Sequence, residues 1–142
     1  MPDPVAAVPE LHRVLEPGGR LFCTVSLFFA EHQQPYDFHR FTQFGLRRPV
    51  EDAGFEIVRL TWLEGYLGTV SYQFSYMGQH LPGPRTSLHV GGWRGLRGRA
   101  LLAVLRTAAP WVARELAVLD AAPRPTDTGM PKDYVVVARK PE

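Results

Sequence analysis

A polar, aromatic segment in the first half of the chain carries the side chains best suited to chemistry. The segment reads "AEHQQPYDFHRFT", residues 30–42, and it follows a long apolar run. Histidine is the residue type best suited to exchange protons at physiological pH, so His32 is the candidate catalytic residue, acting as a general base. The candidate substrate-binding residues are Tyr36, which can line a pocket, and Asp37 with Arg40, which can clamp a substrate.

Each of these residues also has a structural interpretation, and the residue pattern leaves both open. His32 either removes a proton or only packs against the loop and caps it. Asp37 and Arg40 are three positions apart, so they either bind a substrate or form an ion pair that holds the loop. Tyr36 and Phe38 either line a pocket or cover the core.

A helix, a sharp turn and an apolar strand precede this segment. Asp3 and Pro4 are a helix start signal, and apolar residues then recur at spacings of three and four. Pro9 is expected to interrupt this helix, and Pro17–Gly19 to end it. The run "RLFCTVSLFF" is nearly all apolar, which is typical of a strand covered on both faces in a parallel sheet.

A second helix and strand follow the polar segment. Thr42 predicts the cap of a helix that runs to about Ala53, with Gly54 as its C-terminal stop. Pro49 lies inside this helix and predicts a kink or a split. The run "FEIVRLTWL" predicts the next strand. The order helix, strand, helix, strand with short connections predicts an α/β fold.

The remaining residues read as helical until a last strand. Residues 66–80 predict one helix, and "RGRALLAVLRTAAPWVARELAVLDAA" predicts a long helix interrupted at Pro110. The closing "KDYVVVARKPE" predicts a strand. We therefore expect a helical insertion at 66–131 between two parts of a sheet portion, residues 1–65 and 132–142.

Two segments resemble class I S-adenosylmethionine-dependent methyltransferases, of the type 11-like group. "DPVAAVPELHRVLEPGGRLFCTVS" is similar to the family's helix after the fourth strand and to its fifth strand, matching at Glu10, Arg13, Val14, Leu15, Pro17, Gly18 and Gly19. "HQQPYDFHRFTQFGLRRPVEDAGFEIV" is similar to a subgroup of the family, matching at His32, Pro35, Asp37, Arg40, Thr42, Ala53, Gly54 and Phe55. The closing "YVVVARKP" is similar to the family's last strand, and the resemblance covers residues 2–65 and 132–141.

This resemblance implies a fold, a cofactor and a reaction. The chain would be a single partial domain, 1–142, forming the C-terminal portion of a Rossmann-like sheet: three strands with flanking helices, and the insertion before the last strand. The reaction would transfer a methyl group from S-adenosylmethionine to a small-molecule or lipid-like acceptor.

The cofactor site is the part of the family's pattern that this sequence does not show. The family builds that site mainly in its first half, from an acidic, glycine-rich turn and a further acidic residue. No cofactor-binding residue can therefore be assigned here, and we expect the isolated chain to be inactive. The glycine-rich stretch "LHVGGWRGLRG" has its glycines three apart, which fits a turn before a helix better than a nucleotide loop.

Composition excludes several other classes of protein. The single cysteine, Cys23, excludes an internal disulfide and a cysteine-cluster metal site, and its apolar surroundings favour a buried side chain over a nucleophile. We predict no metal site. The N-terminus does not resemble a signal peptide and no apolar run is long enough for a transmembrane segment, so the expected location is cytoplasmic.

The insertion is unusually basic. Between Glu64 and Glu115 there is no acidic residue and there are six arginines: Arg85, Arg94, Arg97, Arg99, Arg106 and Arg114. This stretch, 84–114, fits an anionic substrate, an anionic membrane surface or RNA phosphates, or else a solvated helix face. A net charge of +2 and the lack of an RNA-recognition signature give no reason to expect a nucleic-acid partner.

Three functions remain open from the sequence. The favoured one is a methyltransferase, or the C-terminal part of one. The second is a non-catalytic subunit that completes or regulates a methyltransferase-like partner, and the third is a membrane-surface or interaction module built on the arginine-rich insertion. Because the first strand would lack a neighbour on one side, we expect a homodimer or a partner chain to cover that edge.

Overall fold

Four helices and three strands make up the part of the chain that the structure describes. The computed structural model describes residues 3–83, 91–121, 126 and 129–142. The elements in chain order are α1 (Ala7–Val14), β1 (Arg20–Ser26), α2 (Gln43–Asp52), β2 (Glu56–Trp62), α3 (Tyr66–His80), α4 (Gly92–Asp120) and β3 (Asp133–Arg139). The general α/β class is therefore confirmed.

The chain divides into two compact units. The first unit comprises Met1–Glu64 and Thr128–Glu142, and it contains the three strands with α1 and α2. The second unit comprises Gly65–Asp127 and contains α3 and α4.

The sheet of the first unit is antiparallel between neighbours, which corrects the expectation of a Rossmann-like parallel sheet. Its order is β1–β3–β2, and β3 pairs antiparallel with both other strands. Cys23 lies opposite Val136 on one side of β3, and Leu60 lies opposite Val136 on the other. β1 and β2 point the same way but are not neighbours. An apolar run indicates burial, but it does not specify which strand lies beside it or in which direction that strand runs.

Strand β1 is covered on one face, not on both. Leu21, Cys23 and Val25 pack against the core, whereas Phe22 between them is 67% exposed. This alternation is the two-residue period of a strand with one covered face. The strand also ends at Ser26, before the last apolar residues of the predicted run.

The core of the first unit lies between the helices and one face of the sheet. Alternate residues of β3 point into it, and Val136 is completely buried. The buried cluster consists of Leu46, Val50, Phe55, Tyr134, Val136 and Ala138. Because β3 lies at the centre of the sheet, the last strand of the chain supplies half of this cluster.

Helix α1 begins one turn later than the sequence predicts. The Asp3 carboxylate accepts hydrogen bonds from the N–H groups of Val5 and Ala6, at 2.9 and 3.1 Å, and so closes a turn before the helix. The helix starts at Ala7. Pro9 therefore lies in the first turn, where a backbone N–H has no helical partner, and it does not interrupt the helix.

The Pro-Gly-Gly turn after α1 has specific backbone requirements. Gly18 has φ +75°, and a Cβ on Gly19 would lie 2.7 Å from the carbonyl oxygen of Glu16. The backbone of Lys140, just after β3, bonds to both glycines, and its ammonium group donates to the Leu15 carbonyl at 2.9 Å. The turn thus joins the end of α1 to the last strand.

Helix α2 follows the predicted boundaries. Thr42 is its N-cap, and the Thr42 hydroxyl accepts the N–H of Gly45 at 3.2 Å. Gly54 follows the helix with φ +92°. The helix continues through Pro49 and does not split there. Pro49 has no N–H and so removes one helical hydrogen bond. The buried side chain of the neighbouring Val50 packs the helix against the core.

The second unit is an antiparallel helix hairpin. The Asp120 carboxylate, at the end of α4, accepts the N–H of Gly65 at the start of α3, at 2.8 Å. Further along the hairpin, the Ser71 hydroxyl donates to the Ala113 carbonyl at 2.6 Å. These bonds fix the register of α3 against α4.

Helix α4 is continuous through Pro110, so the interruption predicted there is wrong. Gly78 of α3 faces this point, and a Cβ built on Gly78 would lie 3.4 Å from the Ala109 side chain and 3.6 Å from the Pro110 ring. The absence of a side chain at Gly78 leaves room for the proline ring. Helix α4 therefore continues through Pro110, whose ring packs against α3 at Gly78.

Candidate functional site

The loop that joins β1 to α2 carries all four predicted site residues. It is anchored beside the end of β1: the N–H of Leu27 donates to the Lys132 carbonyl at 2.9 Å, and the N–H of Phe41 donates to the Ser26 carbonyl at 3.3 Å. β3 begins at this same end of the sheet. The loop therefore lies next to the end of β1 and the start of β3.

Asp37 and Arg40 form the central ion pair of this loop. The Arg40 guanidinium donates Nη1–H to Asp37 Oδ1 and, at 2.6 Å, Nη2–H to Asp37 Oδ2. Arg40 also donates to the His39 carbonyl at 2.9 Å and to the Ala30 carbonyl at 3.4 Å. The Asp37 side chain is only 11% exposed. Because both carboxylate oxygens are engaged, this geometry favours the ion pair that holds the loop over a substrate clamp.

The same contacts determine the charge of Asp37. The hydrogen bonds from Arg40, and then the N–H of His32 at 2.9 Å, hold the pKa of this carboxyl far below its usual range. The Asp37 carboxylate in turn raises the pKa of Arg40. Both pKa shifts favour the charged forms, so Asp37 and Arg40 are ionised near neutral pH.

His32 is held by its backbone and by one ring nitrogen. Its Nδ1 lies 3.1 Å from the Ala30 carbonyl oxygen and 3.5 Å from Asp37 Oδ2. The ring meets the Phe29 ring edge to face at a centroid distance of 4.9 Å. Since two oxygen acceptors face Nδ1, we assign the hydrogen to Nδ1, which leaves Nε2 with a lone pair. That tautomer can accept a proton.

A cavity of about 450 Å³ lies beside the loop in the first unit. α1, β1 and α2 provide its mostly apolar walls, and His32, Tyr36, Asp37 and Arg40 all line it. Cavities of this size accommodate small organic ligands. The structure thus brings the four predicted site residues to one cavity.

A second cavity of about 440 Å³ lies against the same loop. Phe28, Phe29 and Glu31 line it, and Asp37 and Arg40 line both cavities. Phe38 and His39 line both cavities as well, so this part of the loop contacts the two.

Sequence reasoning missed a polar cluster at the same end of the sheet. The Ser26 hydroxyl donates to Asp133 Oδ1 at 2.6 Å, and Glu64 Oε1 accepts the N–H of Asp133 at 2.9 Å. Lys132 lies 3.5 Å from the Asp133 carboxylate. Burial raises the pKa of Glu64. In the sequence, Ser26, Glu64 and Asp133 each lie at or near the end of a predicted strand. Only the order of the strands in the sheet shows that these strand ends meet.

Cys23 lines the first cavity without acquiring nucleophilic character. The thiol is half-buried, and burial raises its pKa, so it remains protonated near neutral pH. Within the described ranges, no group of three or more His, Cys, Asp or Glu side chains is arranged to hold a metal ion.

The described residues of this site do not fit S-adenosylmethionine. Its ribose hydroxyls need a carboxylate acceptor, but both oxygens of Asp37 are bound by Arg40. The part of the glycine-rich stretch that the structure describes, residues 91–98, forms the N-cap and first turns of α4. We therefore derive no step in this chain through that cofactor.

The arginine-rich insertion lies mainly on α4. Arg94, Arg97, Arg99 and Arg114 are exposed, and Arg106 donates to the Leu81 carbonyl at 3.2 Å. The stretch 84–90, with Arg85, lies outside the described residues. None of the helices that the structure describes combines the length and hydropathy of a bilayer span.

Comparison with known proteins gives little beyond this description. No family model matches the chain, and no curated protein matches it. Among solved structures, the crystal structure of the [4+2]-cyclase SpnF matches with 18% sequence identity and a TM-score of 0.47. The match covers 97% of this chain and 44% of the SpnF chain, so this chain spans less than half of that protein's length. A likeness at this level carries no argument about function.

Proposed function

We propose that this chain is the acceptor-side portion of a class I S-adenosylmethionine-dependent methyltransferase, with His32 as its general base. The two segments that resemble the family support the proposal, and they pack together: the His12 ring of the first meets the Phe55 ring of the second edge to face, at a centroid distance of 4.9 Å. The observation that carries the proposal is the oriented His32 ring at a cavity of about 450 Å³.

The chemistry asked of His32 is a single proton transfer. Methyl transfer from a sulfonium requires an acceptor atom held in line with the methyl group and, for a hydroxyl or amine acceptor, removal of its proton. Nε2 of His32 accepts that proton from the hydroxyl or amine, which leaves a lone pair on the acceptor oxygen or nitrogen. The imidazolium so formed is stabilised by the Ala30 carbonyl and by Asp37 Oδ2, 3.5 Å from Nδ1.

The lining of the cavity suggests the class of acceptor. Most of its walls are apolar side chains of α1, β1 and α2, and its polar groups are concentrated in the loop. An acceptor that is largely apolar, with one hydroxyl or amine, would place that group beside His32. Tyr36 lies at the exposed side of the loop, where its ring can cover such a molecule.

Other residues must bind the methyl donor in this proposal. We propose that the donor site lies in another segment of a longer polypeptide or in a partner chain, and the misfit of Asp37 supports this. Translating the nucleotide sequence upstream of Met1 would show whether an acidic, glycine-rich turn is encoded there.

The first test is a calorimetric titration of the 142-residue chain with S-adenosylmethionine. We expect no measurable heat of binding, because Arg40 occupies both oxygens of the Asp37 carboxylate at the cavity and the described glycines of the glycine-rich stretch lie at the start of α4. A dissociation constant in the micromolar range would show that the chain contains the cofactor site.

The second test uses the polypeptide or complex that does bind S-adenosylmethionine. His32→Ala should lower the rate of methyl transfer by about 10²–10⁴-fold, because the variant lacks the base that removes the acceptor's proton. His80→Ala, on α3 in the other unit, is the matched control and should leave the rate unchanged. An unchanged rate and pH profile for His32→Ala would remove His32 from the mechanism.

A second candidate is a non-catalytic subunit of a methyltransferase-like partner. The misfit between the site and the cofactor favours this alternative as well. It predicts that the chain is required for activity of a complex in which His32→Ala has no effect on the rate.

A further inference from the structure

Helix α4 has an apolar outer face that its packing against α3 does not explain. On the side that meets α3 the helix buries Gly95, Ala109, Ala113 and Asp120. On the other side, four large apolar side chains are between 59% and 81% exposed: Trp93, Val104, Trp111 and Val118. We call these four residues the outer stripe of α4.

The outer stripe is continuous along the helix. Its residues are eleven, seven and seven positions apart, spacings that return to nearly the same direction in a helix of 3.6 residues per turn. At a rise of 1.5 Å per residue, the stripe is about 37 Å long. Leu96 and Leu101, both exposed, widen it. An apolar surface of this extent on one helix marks an interaction site.

The charges beside the stripe are mostly positive. Arg97 is four positions from Trp93, and Arg114 is three positions from Trp111, so both guanidinium groups lie next to the stripe. Arg94 and Arg99 are also exposed on this part of the helix. One acidic residue, Glu115, is exposed beside Trp111 and Val118, so arginines outnumber acidic groups on this part of the helix by four to one.

We propose that the outer stripe of α4 binds to the surface of an anionic lipid membrane, with the helix axis parallel to the surface. Tryptophan side chains favour the boundary between headgroups and acyl chains, and flanking arginines attract anionic headgroups. Charge argues against a second copy of the chain as the occupant, because face-to-face packing would bring two arginine-rich helices together.

Binding of the full chain to lipid vesicles tests this proposal. Vesicles of phosphatidylcholine with phosphatidylglycerol should bind the protein and shift its tryptophan emission to shorter wavelength, whereas pure phosphatidylcholine vesicles should bind it much more weakly. Trp111→Glu and Val104→Glu should each weaken binding by at least about tenfold, since a carboxylate in the stripe opposes both insertion and attraction. Replacing Arg97 or Arg114 by Gln should weaken it by about fivefold per arginine, and added salt should weaken it further.

Phe44→Glu is the matched control, because Phe44 is also a highly exposed aromatic residue but lies on α2 in the other unit. This variant should bind as the unchanged protein does. Three results would overturn the proposal: no binding to anionic vesicles, equal binding to neutral ones, or equal weakening by Phe44→Glu. A dimer in sedimentation velocity that Val104→Glu dissociates would assign the stripe to an interface between copies instead.

Discussion

At the scale of single residues, Asp37 is the best-defined group in the loop. Its two oxygens accept hydrogen bonds from both Nη atoms of Arg40, and Oδ2 also accepts the N–H of His32. One carboxylate therefore holds both the loop and the backbone of the histidine beside the cavity. The sequence spacing identified the pair but left its role open. The bidentate geometry assigns it to holding the loop, and it makes Asp37 a positioning residue for His32 in the proposed reaction.

Asp37→Asn should change the acid dependence of stability. The folded-state pKa of Asp37 lies far below the value of about 3.9 for an unfolded aspartate. Its contribution to stability is therefore present above about pH 4 and is lost as the pH falls below that value toward the folded-state pKa. We expect the variant to be less stable than the unchanged protein at pH 7, with the difference shrinking below pH 4, in urea unfolding followed by circular dichroism.

Asp52→Asn serves as the comparison, because its partner Arg48 is 3.5 Å away and both side chains are largely exposed. An exposed pair of this kind should contribute little at any pH. If the stability difference for Asp37→Asn is the same at pH 3 as at pH 7, the Asp37 pKa is not depressed by folding.

At the scale of elements, two glycines define how neighbouring pieces meet. Gly19 allows the Pro-Gly-Gly turn to pass close to the Glu16 carbonyl, and Gly78 allows α3 to approach the Pro110 ring of α4. The first follows from a local turn signal that the sequence shows. The second depends on a residue more than thirty positions away, so the sequence suggested an interruption at Pro110 where the helix is continuous.

Substitutions at Gly78 should separate the effect of helix propensity from the effect of the close packing between α3 and α4. Gly78→Ala places its Cβ in ordinary contact, 3.4 Å from Ala109, and should stabilise the chain by up to about 1 kcal/mol through helix propensity. Gly78→Leu would overpack the hairpin and should cost about 1–3 kcal/mol. Thermal unfolding followed by circular dichroism measures both.

Gln79→Leu, at the next and exposed position of α3, is the control for the larger side chain. It should leave the stability nearly unchanged. Equal effects of Leu at positions 78 and 79 would show that the close approach of the two helices does not contribute to stability.

At the scale of the whole molecule, the last strand organises the first unit. β3 pairs with β1 and β2, supplies Tyr134, Val136 and Ala138 to the core, and continues into Lys140, which binds the turn after α1. Residues from both ends of the chain therefore form one core. The unit should lose stability whenever β3 loses packing.

Val136→Ala should cost about 2 kcal/mol, because Val136 is completely buried at the centre of the sheet. Val58→Ala, on the edge strand β2 and mostly exposed, should change the free energy of unfolding by less than about 0.5 kcal/mol. Urea unfolding of the two variants gives the comparison. Similar losses for both would mean that β3 is not the centre of the core.

Much of the local structure could be predicted because its signals lie within one or two turns of chain. The cap at Thr42, the stop at Gly54 and the bounds of α3 are such cases. The late start of α1 was not predicted, because Asp3 is an equally good acceptor for a turn that precedes a helix. For the candidate site, the four loop residues could be predicted from the sequence, but the polar cluster of Ser26, Glu64 and Asp133 could not.

By itself the sequence determined the α/β class, the order of the helices and strands, and the residues that could do chemistry. Only the tertiary structure decided that β3 lies antiparallel between β1 and β2, that Arg40 takes both oxygens of Asp37, and that α4 leaves an apolar face exposed. The physical reason is range: caps and turns depend on neighbours a few positions apart, whereas strand direction, ion pairing geometry and burial depend on residues brought together from distant parts of the chain.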